Sequence, residues 1–401
     1  MKTYLIIGTS AVAMGAVTKL RQLDKNARII CVSDEKEFPY NKCFLVEYLN
    51  HEKTLEQMYT KPQQFFQKNN IELKLNTKII ALDSKNKQAT CADGSVISYT
   101  KLLLGVGGNV HIPPIEGKDT QGLFPFYNLK DTQEIKNWIE QQQVKHIVII
   151  GAGLSGLECA DALAYYKVPI TVVDKSRQLL GRQVDAAGAQ FVQNKAVQHN
   201  VAFRFNVTIN KIISKNNELC AVELSDGTYI KTTMVICALG ARPNLELAES
   251  AGLEIEQYAV ITNEWMQTSN ADIYAAGDVA LVTNKLTGNK MRSCTWPDAL
   301  VQGMRAGTNM VEHTKPYAGV TLITASHFFG LSFHVAGDIT TILSDSDNNV
   351  NDRARIEIDQ TETFYQKIKY AESGFVKAFI LIGHTQNLSH FKRSLLTQTP
   401  L

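Results

Sequence analysis

No apolar run in the 401 residues approaches the length of a membrane span, so no transmembrane segment is expected. The seven cysteines are scattered, with no CxxC pair and no even framework. That argues against structural disulfides and for a reducing, cytoplasmic setting. Charge bias is absent too: 41 basic and 39 acidic residues leave a formal charge of +2, with the signs interspersed. Such a balance offers no footprint for nucleic acid or an anionic membrane. Met1-Lys-Thr-Tyr runs at once into an apolar strand, leaving no room for a signal peptide. Metal-ligand spacing and a Ser-His-Asp arrangement are also lacking. What remains is an ordinary globular composition, in a chain long enough for two or three domains.

The chain is organised around residues 147–158, IVIIGAGLSGLE. Four apolar residues lead into Gly151, Gly153 and Gly156, and a small-residue segment follows. The pattern predicts a buried parallel strand, a tight turn and the start of a helix. Gly151 permits the turn, Gly153 lets a pyrophosphate approach the backbone, and Gly156 lets helix and strand pack closely. Free N–H groups and the positive end of the helix dipole then face the phosphates. A second strand at 170–174, ITVVD, ends in Asp174, a carboxylate suited to a ribose 2′-OH. The alternative is an ordinary glycine-rich turn. Its position is unusual, since such a fingerprint normally opens a domain.

A second, weaker fingerprint begins the chain. Residues 4–8, YLIIG, precede a helical segment at 9–20, with Ser10 and Ala13 in place of the second and third glycines and Ala11 between them. The following strand at 29–32 ends near Asp34 and Glu35. This reads either as another dinucleotide site or as a doubly wound unit with no ligand at the turn. Pro39-Tyr40 then form a loop, and a helix starts near Phe44, so Lys42 and Cys43 fall at the junction. A cysteine at a helix start beside a lysine favours the thiolate, although small buried cysteines are also common packing residues.

Residues 71–82 and 88–97 read as an antiparallel ribbon turning at Ala92-Asp93-Gly94, followed by the strand 101–108 ending in glycine. The same order returns after the central fingerprint: a ribbon over 201–213 and 220–224, then the glycine-ended strand 234–243. This is a duplication on a large scale. Gly277-Asp278 follows a short strand, and residues 291–310 read as a loop and a helix with small residues on one face. From about 321 the pattern becomes strands, at 326–336, 340–343, 364–371 and 375–382, with a terminal helix at 384–396. The polar run 344–352 reads as a mobile loop.

On these residues the chain resembles the FAD-dependent pyridine nucleotide-disulfide oxidoreductases, in the branch of NADH-rubredoxin reductases, NADH oxidases and coenzyme A-disulfide reductases. The resemblance implies an α/β fold of two Rossmann-like FAD/NAD(P)-binding domains, the second inserted in the first, plus a small α+β C-terminal domain. The implied boundaries are 1–112 with 241–320 for FAD, 113–240 for NAD(H), and 321–401 for the C-terminal domain. It implies that the Gly8 turn holds FAD pyrophosphate, with Asp34 or Glu35 on ribose and Lys42 near the phosphates. The stretches at Gly105–Gly108, containing Gly107, and at Gly240–Pro243 match the two crossover strands. Gly277 and Asp278 match the second FAD motif, with Trp296-Pro297 and Gln302-Gly303 beside the flavin ring. Glu158 matches an acidic residue near flavin and nicotinamide; a carboxylate favoured by the helix dipole is the alternative. Asp174 implies NADH over NADPH, although Lys175 and Arg177 stand nearby.

Two departures bear on the acceptor. Glu47 stands where ferredoxin and rubredoxin reductases carry a lysine. Cys43 falls where NADH oxidases and coenzyme A-disulfide reductases keep one redox cysteine. The expected function is electron transfer from NADH through flavin to a small carrier such as rubredoxin. The alternatives are a Cys43 route to peroxide, disulfide or persulfide, and an NADH sensor acting through partners at 344–352. His327, His334 and His384 could serve the cysteine route or simply pack. Either a monomer or a homodimer is compatible.

Overall fold

A computed structural model describes residues 1–110, 112–343 and 354–401; the 344–352 run lies outside the described residues. The chain forms two compact units. The first comprises Met1–Phe44, Lys53–Asn109 and Ala241–Val320; the second comprises Leu45–Glu52, Val110–Gly240 and Thr321–Leu401.

The first unit is built on a five-stranded parallel sheet. Its order is Ile273–Ala275, Lys101–Leu104, Thr3–Ile7, Arg28–Val32, Ile71–Lys74. Residues 4–6 and 29–32 are fully buried, as continuous apolar runs in a doubly covered sheet must be. The Ala11–Leu23 helix after the central strand packs on the Trp296–Val311 helix. Their backbones approach so closely that a Cβ on Gly303 would sit 2.1 Å from the Val12 carbonyl oxygen.

The second unit repeats this plan. Its parallel sheet runs Val201–Arg204, Ile170–Val173, Ile147–Ile150, Met234–Cys237, Leu123–Pro125. A three-stranded antiparallel sheet, Ile209–Lys215, Glu218–Leu224 and Tyr229–Lys231, closes one apolar core with it, in which Val148, Val173, Ile212 and Val222 meet. The C-terminal residues form a separate antiparallel sheet ordered Ile323–Phe328, Leu331–Gly337, Val376–Ile382, Tyr365–Tyr370, Arg355–Gln360. The Leu388–Thr397 helix packs on the Val376–Ile382 strand. Fold class and duplication are therefore those expected.

Three local expectations change. Ile71–Lys74 and Val201–Arg204 are parallel edge strands, not the first arms of the ribbons. An edge strand is half-exposed, so it alternates apolar and polar residues as a ribbon does. The first ribbon proper is Ile79–Asp83, Gln88–Cys91 and Val96–Ser98. Residues 340–343 are helical, although Thr-Thr-Ile reads as strand. Asp338 redirects them: its side chain accepts from the Thr340 hydroxyl at 2.7 Å and its carbonyl from the Thr341 amide. The 326–336 strand is a hairpin turning at Phe329-Gly330, both at positive φ, as a two-residue turn of this hand requires.

Candidate active site

The two fingerprint turns are near copies, one in each unit. Gly8 has φ +104° and Gly151 +112°. Each donates its amide to the end of the next strand, Gly8 to Val32 at 2.8 Å and Gly151 to Val173 at 2.9 Å. A side chain at Gly8 would meet the Gly105 carbonyl at 2.2 Å, and one at Gly151 the Ala238 carbonyl at 2.7 Å. The helices that follow begin at Ser10 and Gly153, and neither N-cap supplies a side-chain hydrogen bond. By contrast, Asn128, Asp185 and Thr295 cap their own helices. A helix leaves its first N–H groups without intrahelical acceptors, so these two ends are suited to an external anion. Around Gly153 a Cβ would meet nothing within 4 Å: the backbone there is open to approach.

The strand-end carboxylates differ between the copies. Asp174 accepts from the Ala152 amide and from the Ser176 amide, both at 2.7 Å. It thereby ties the end of its strand to the glycine turn. In the first unit Ser33 follows the matching valine, and the acids come later. Asp34 is exposed, while Glu35 accepts from the Tyr40 hydroxyl at 2.7 Å and lies 3.5 Å from Lys42 Nζ.

Lys42 and Arg292 also act on Asp278. Burial pushes the Asp278 carboxyl up, and the two cations oppose that. Asp278 sits in the short helical turn Gly277–Val279, with Gly277 at φ +76°. The Gly277 amide donates to Gln302 Oε1 at 2.8 Å, and Gln302 Nε2 donates to Ser293 Oγ at 3.1 Å. Gln302 is fully buried. It pins the turn, a role the local pattern does not reveal. Trp296 opens the helix capped by Thr295, whose hydroxyl donates to Asp298 at 2.7 Å. Gly107 accepts from the Asn244 amide at 3.0 Å, where Gly108–Val110 pairs with Ala241–Pro243. Gly240, at φ +77°, has open space around it. Ala11 is buried in the first turn of its helix.

In the second unit Glu158 lies on the Leu154–Ala164 helix and accepts a short hydrogen bond, 2.5 Å, from the Ser326 hydroxyl. Burial raises its carboxyl above the ordinary value, Ser326 pulls it down, and Glu47 raises it. Glu47 belongs to the Leu45–Leu49 helix, which packs on the Glu158 helix. Ser326 carries no local signal, because its partner is 168 residues away.

Cys43 is exposed, on a short turn Lys42–Phe44, and its amide donates to Asn41 Oδ1 at 3.0 Å. Of the other cysteines, Cys31, Cys91, Cys159 and Cys237 are buried. The three histidines have neighbours within the second unit: His327 acts on Asp161, His334 is pushed down by burial, and His384 packs edge-on against Phe364. Among the described residues no cluster could hold a metal ion, and no helix is long and apolar enough to cross a membrane.

Residues 2–303 match the pyridine nucleotide-disulphide oxidoreductase family. The chain belongs to it. Among curated relatives, an NADH oxidase of Methanocaldococcus jannaschii is 34% identical over 313 residues, covering 76% of this chain and 69% of that protein. A rubredoxin-NAD(+) reductase of Pseudomonas putida is 28% identical over 313 residues, covering 78% and 80%. Among solved structures, a ferredoxin reductase of Rhodopseudomonas palustris superposes with a TM-score of 0.89 at 22% identity, over 100% of this chain and 96% of that one. That likeness speaks for the fold.

As a member of this family the protein is an NAD(P)H-dependent flavoprotein oxidoreductase, with FAD and NADH as its cofactors. The residues present fit both. Each glycine turn ends at a helix whose N-terminus no side chain caps.

Proposed function

We propose that the protein takes electrons from NADH and delivers them through FAD to a small carrier such as rubredoxin or a related iron–sulfur protein. The observation that carries the reading is the pair of turns, at Gly8 and Gly151, each followed by a helix N-terminus that no side chain caps. The rubredoxin-NAD(+) reductase similarity supports the acceptor. Bound FAD supplies hydride acceptance from NADH and release of electrons to the acceptor. The chain's residues supply binding, orientation and proton handling.

The amides after Ser10 would hold the FAD pyrophosphate, and those after Gly153 that of NADH. Lys42, between Glu35 and Asp278, adds positive charge near the first turn. Asp278 would accept from a hydroxyl of the flavin's sugar-alcohol chain, and Gln302 keeps the turn that carries it in shape. Trp296 would stand beside the flavin. Asp174 keeps a negative charge beside the ribose of the second nucleotide, which repels a 2′-phosphate and selects NADH. Glu158 would lie at the nicotinamide. Burial and Glu47 favour its protonated form, so it can hold a proton at a carboxylate oxygen. The three-part division, 1–112 with 241–320, 113–240 and 321–401, assigns FAD to the first part and NADH to the second.

The test is anaerobic. NADH mixed with the yellow protein bleaches the flavin band, and adding rubredoxin or a ferredoxin-type protein restores it with fast turnover. A colourless preparation, or turnover that no carrier accelerates, overturns the reading. The exposure of Cys43 and the NADH oxidase similarity favour a second reading, in which its thiolate passes two electrons to a peroxide or disulfide. Uptake of more than two electrons in a dithionite titration, lost in Cys43→Ser, selects that route.

A further inference from the structure

Resting on the reading of Glu158 as a group at the nicotinamide, we propose that Ser326 of the C-terminal sheet is its positioning residue, fixing the direction of the carboxyl for hydride transfer. The hydroxyl reaches Glu158 Oε1 at 2.5 Å from the Ile323–Phe328 strand, which packs against the Leu154–Ala164 helix. The contact is one of two on the same helix face. Asp161, three residues on, accepts from the Phe329 amide at the hairpin turn. Residues three apart on a helix are surface neighbours, so strand and turn grip one stripe of the helix. A third tie lies on the next helix, where Asp185 binds Lys367 and Tyr365 of the same sheet. The C-terminal sheet therefore cannot shift freely relative to the helix that carries Glu158.

A glutamate has several rotatable bonds, and ordering it costs rotamer entropy. Ser326 meets that cost in the resting protein, before any ligand arrives. It also sets the proton balance. Burial and the Glu47 charge favour the neutral acid, while the donated hydroxyl favours the carboxylate. Of the titratable groups nearby, Glu47 on the neighbouring helix raises Glu158, burial and then Glu158 raise the Cys159 thiol, and His327 of the packed strand acts on Asp161. The C-terminal sheet thus becomes a working part of the nicotinamide site.

The experiment compares Ser326→Ala, Ser326→Thr and Glu158→Gln in the flavin-loaded protein. The Glu158 carboxyl is followed by infrared titration, its band assigned by its loss in Glu158→Gln. Anaerobic flavin reduction gives the limiting rate and the NADH dissociation constant separately. Ser326→Ala is expected to move the carboxyl midpoint upward and to slow reduction roughly tenfold, about 1.4 kcal/mol, leaving the dissociation constant unchanged. Ser326→Thr restores both. Should Ser326→Ala fail to fold, Ser326→Cys, a weak donor of similar size, takes its place. If Glu158→Gln is slow while loss of the hydroxyl changes neither midpoint nor rate, the positioning role is wrong and the Glu158 reading survives. If Glu158→Gln reduces at the wild-type rate, both are overturned.

Discussion

Asp185 and Lys367 form a buried ion pair, Oδ2 to Nζ 2.7 Å, with 5% and 2% of their side chains exposed. The Tyr365 hydroxyl donates to the same carboxylate at 2.7 Å, and the Gly188 amide at 3.1 Å. One side chain therefore caps the Ala186–Gln198 helix and anchors the Tyr365–Tyr370 strand. Removing it leaves a buried ammonium without this counter-charge, which costs about 3–5 kcal/mol. Asp185→Ala should lower stability in urea by that amount. The double variant Asp185→Ala/Lys367→Met should recover part of the loss, because the charge leaves with its partner. Equal stability of the single and double variants would refute an ionic origin.

Gly153 and Gly156 sit three residues apart and should fail in different ways. A Cβ at Gly153 meets nothing within 4 Å, whereas one at Gly156 lands 1.9 Å from the Gly151 carbonyl oxygen. Gly153→Ala is expected to keep the melting temperature and to weaken NADH roughly tenfold or more, about 1.4 kcal/mol. Gly156→Ala should lower the melting temperature itself. Nucleotide titration and thermal melting of both variants separate the effects. Unchanged NADH affinity in Gly153→Ala would remove the nucleotide from this turn.

Asp174 presents a charge and two acceptors at the end of its strand. Asp174→Asn removes the charge and one acceptor, keeping a single oxygen for the Ala152 or Ser176 amide. The NADPH-to-NADH ratio of kcat/KM should rise by about 10–100-fold, or 1.4–2.7 kcal/mol. The lost acceptor should cost about 1 kcal/mol of stability. A ratio that does not move would mean that the 2′-position lies elsewhere.

Glu158 should leave a mark on the pH dependence of stability. Burial, and then the charge of Glu47, hold its carboxyl above the ordinary 4.5 in the folded chain. Between that value and the raised one, the folded protein keeps a proton that the unfolded chain has lost. Stability therefore falls as pH rises through this window and is flat above it. Glu158→Gln lacks the term, so the stability of wild type minus variant should decline with rising pH in urea series. A difference independent of pH would contradict a raised Glu158.

Much of this protein is written locally. The turns at Gly8 and Gly151 need positive φ, a property of the residue itself, and buried parallel strands are unbroken apolar runs such as 147–150. The edge strands Ile71–Lys74 and Val201–Arg204 are not distinguishable locally from ribbon arms, because they alternate as ribbons do. Residues 340–343 are helical against a β-branched composition because the Asp338 contacts outweigh it.

The two glycine turns and their order along the chain are legible in the residues themselves, since they rest on residue type and short-range periodicity. Folding alone brings Ser326 to Glu158, sets Gln302 against the Gly277 turn, and lets Lys367 and Tyr365 share Asp185. Those pairs lie 168, 25, 182 and 180 residues apart in sequence. A serine, a glutamine or an aspartate has no period and no fixed spacing to its partner. Its role is set by which strand the folded sheets deliver to it, and by how little water is left around the pair.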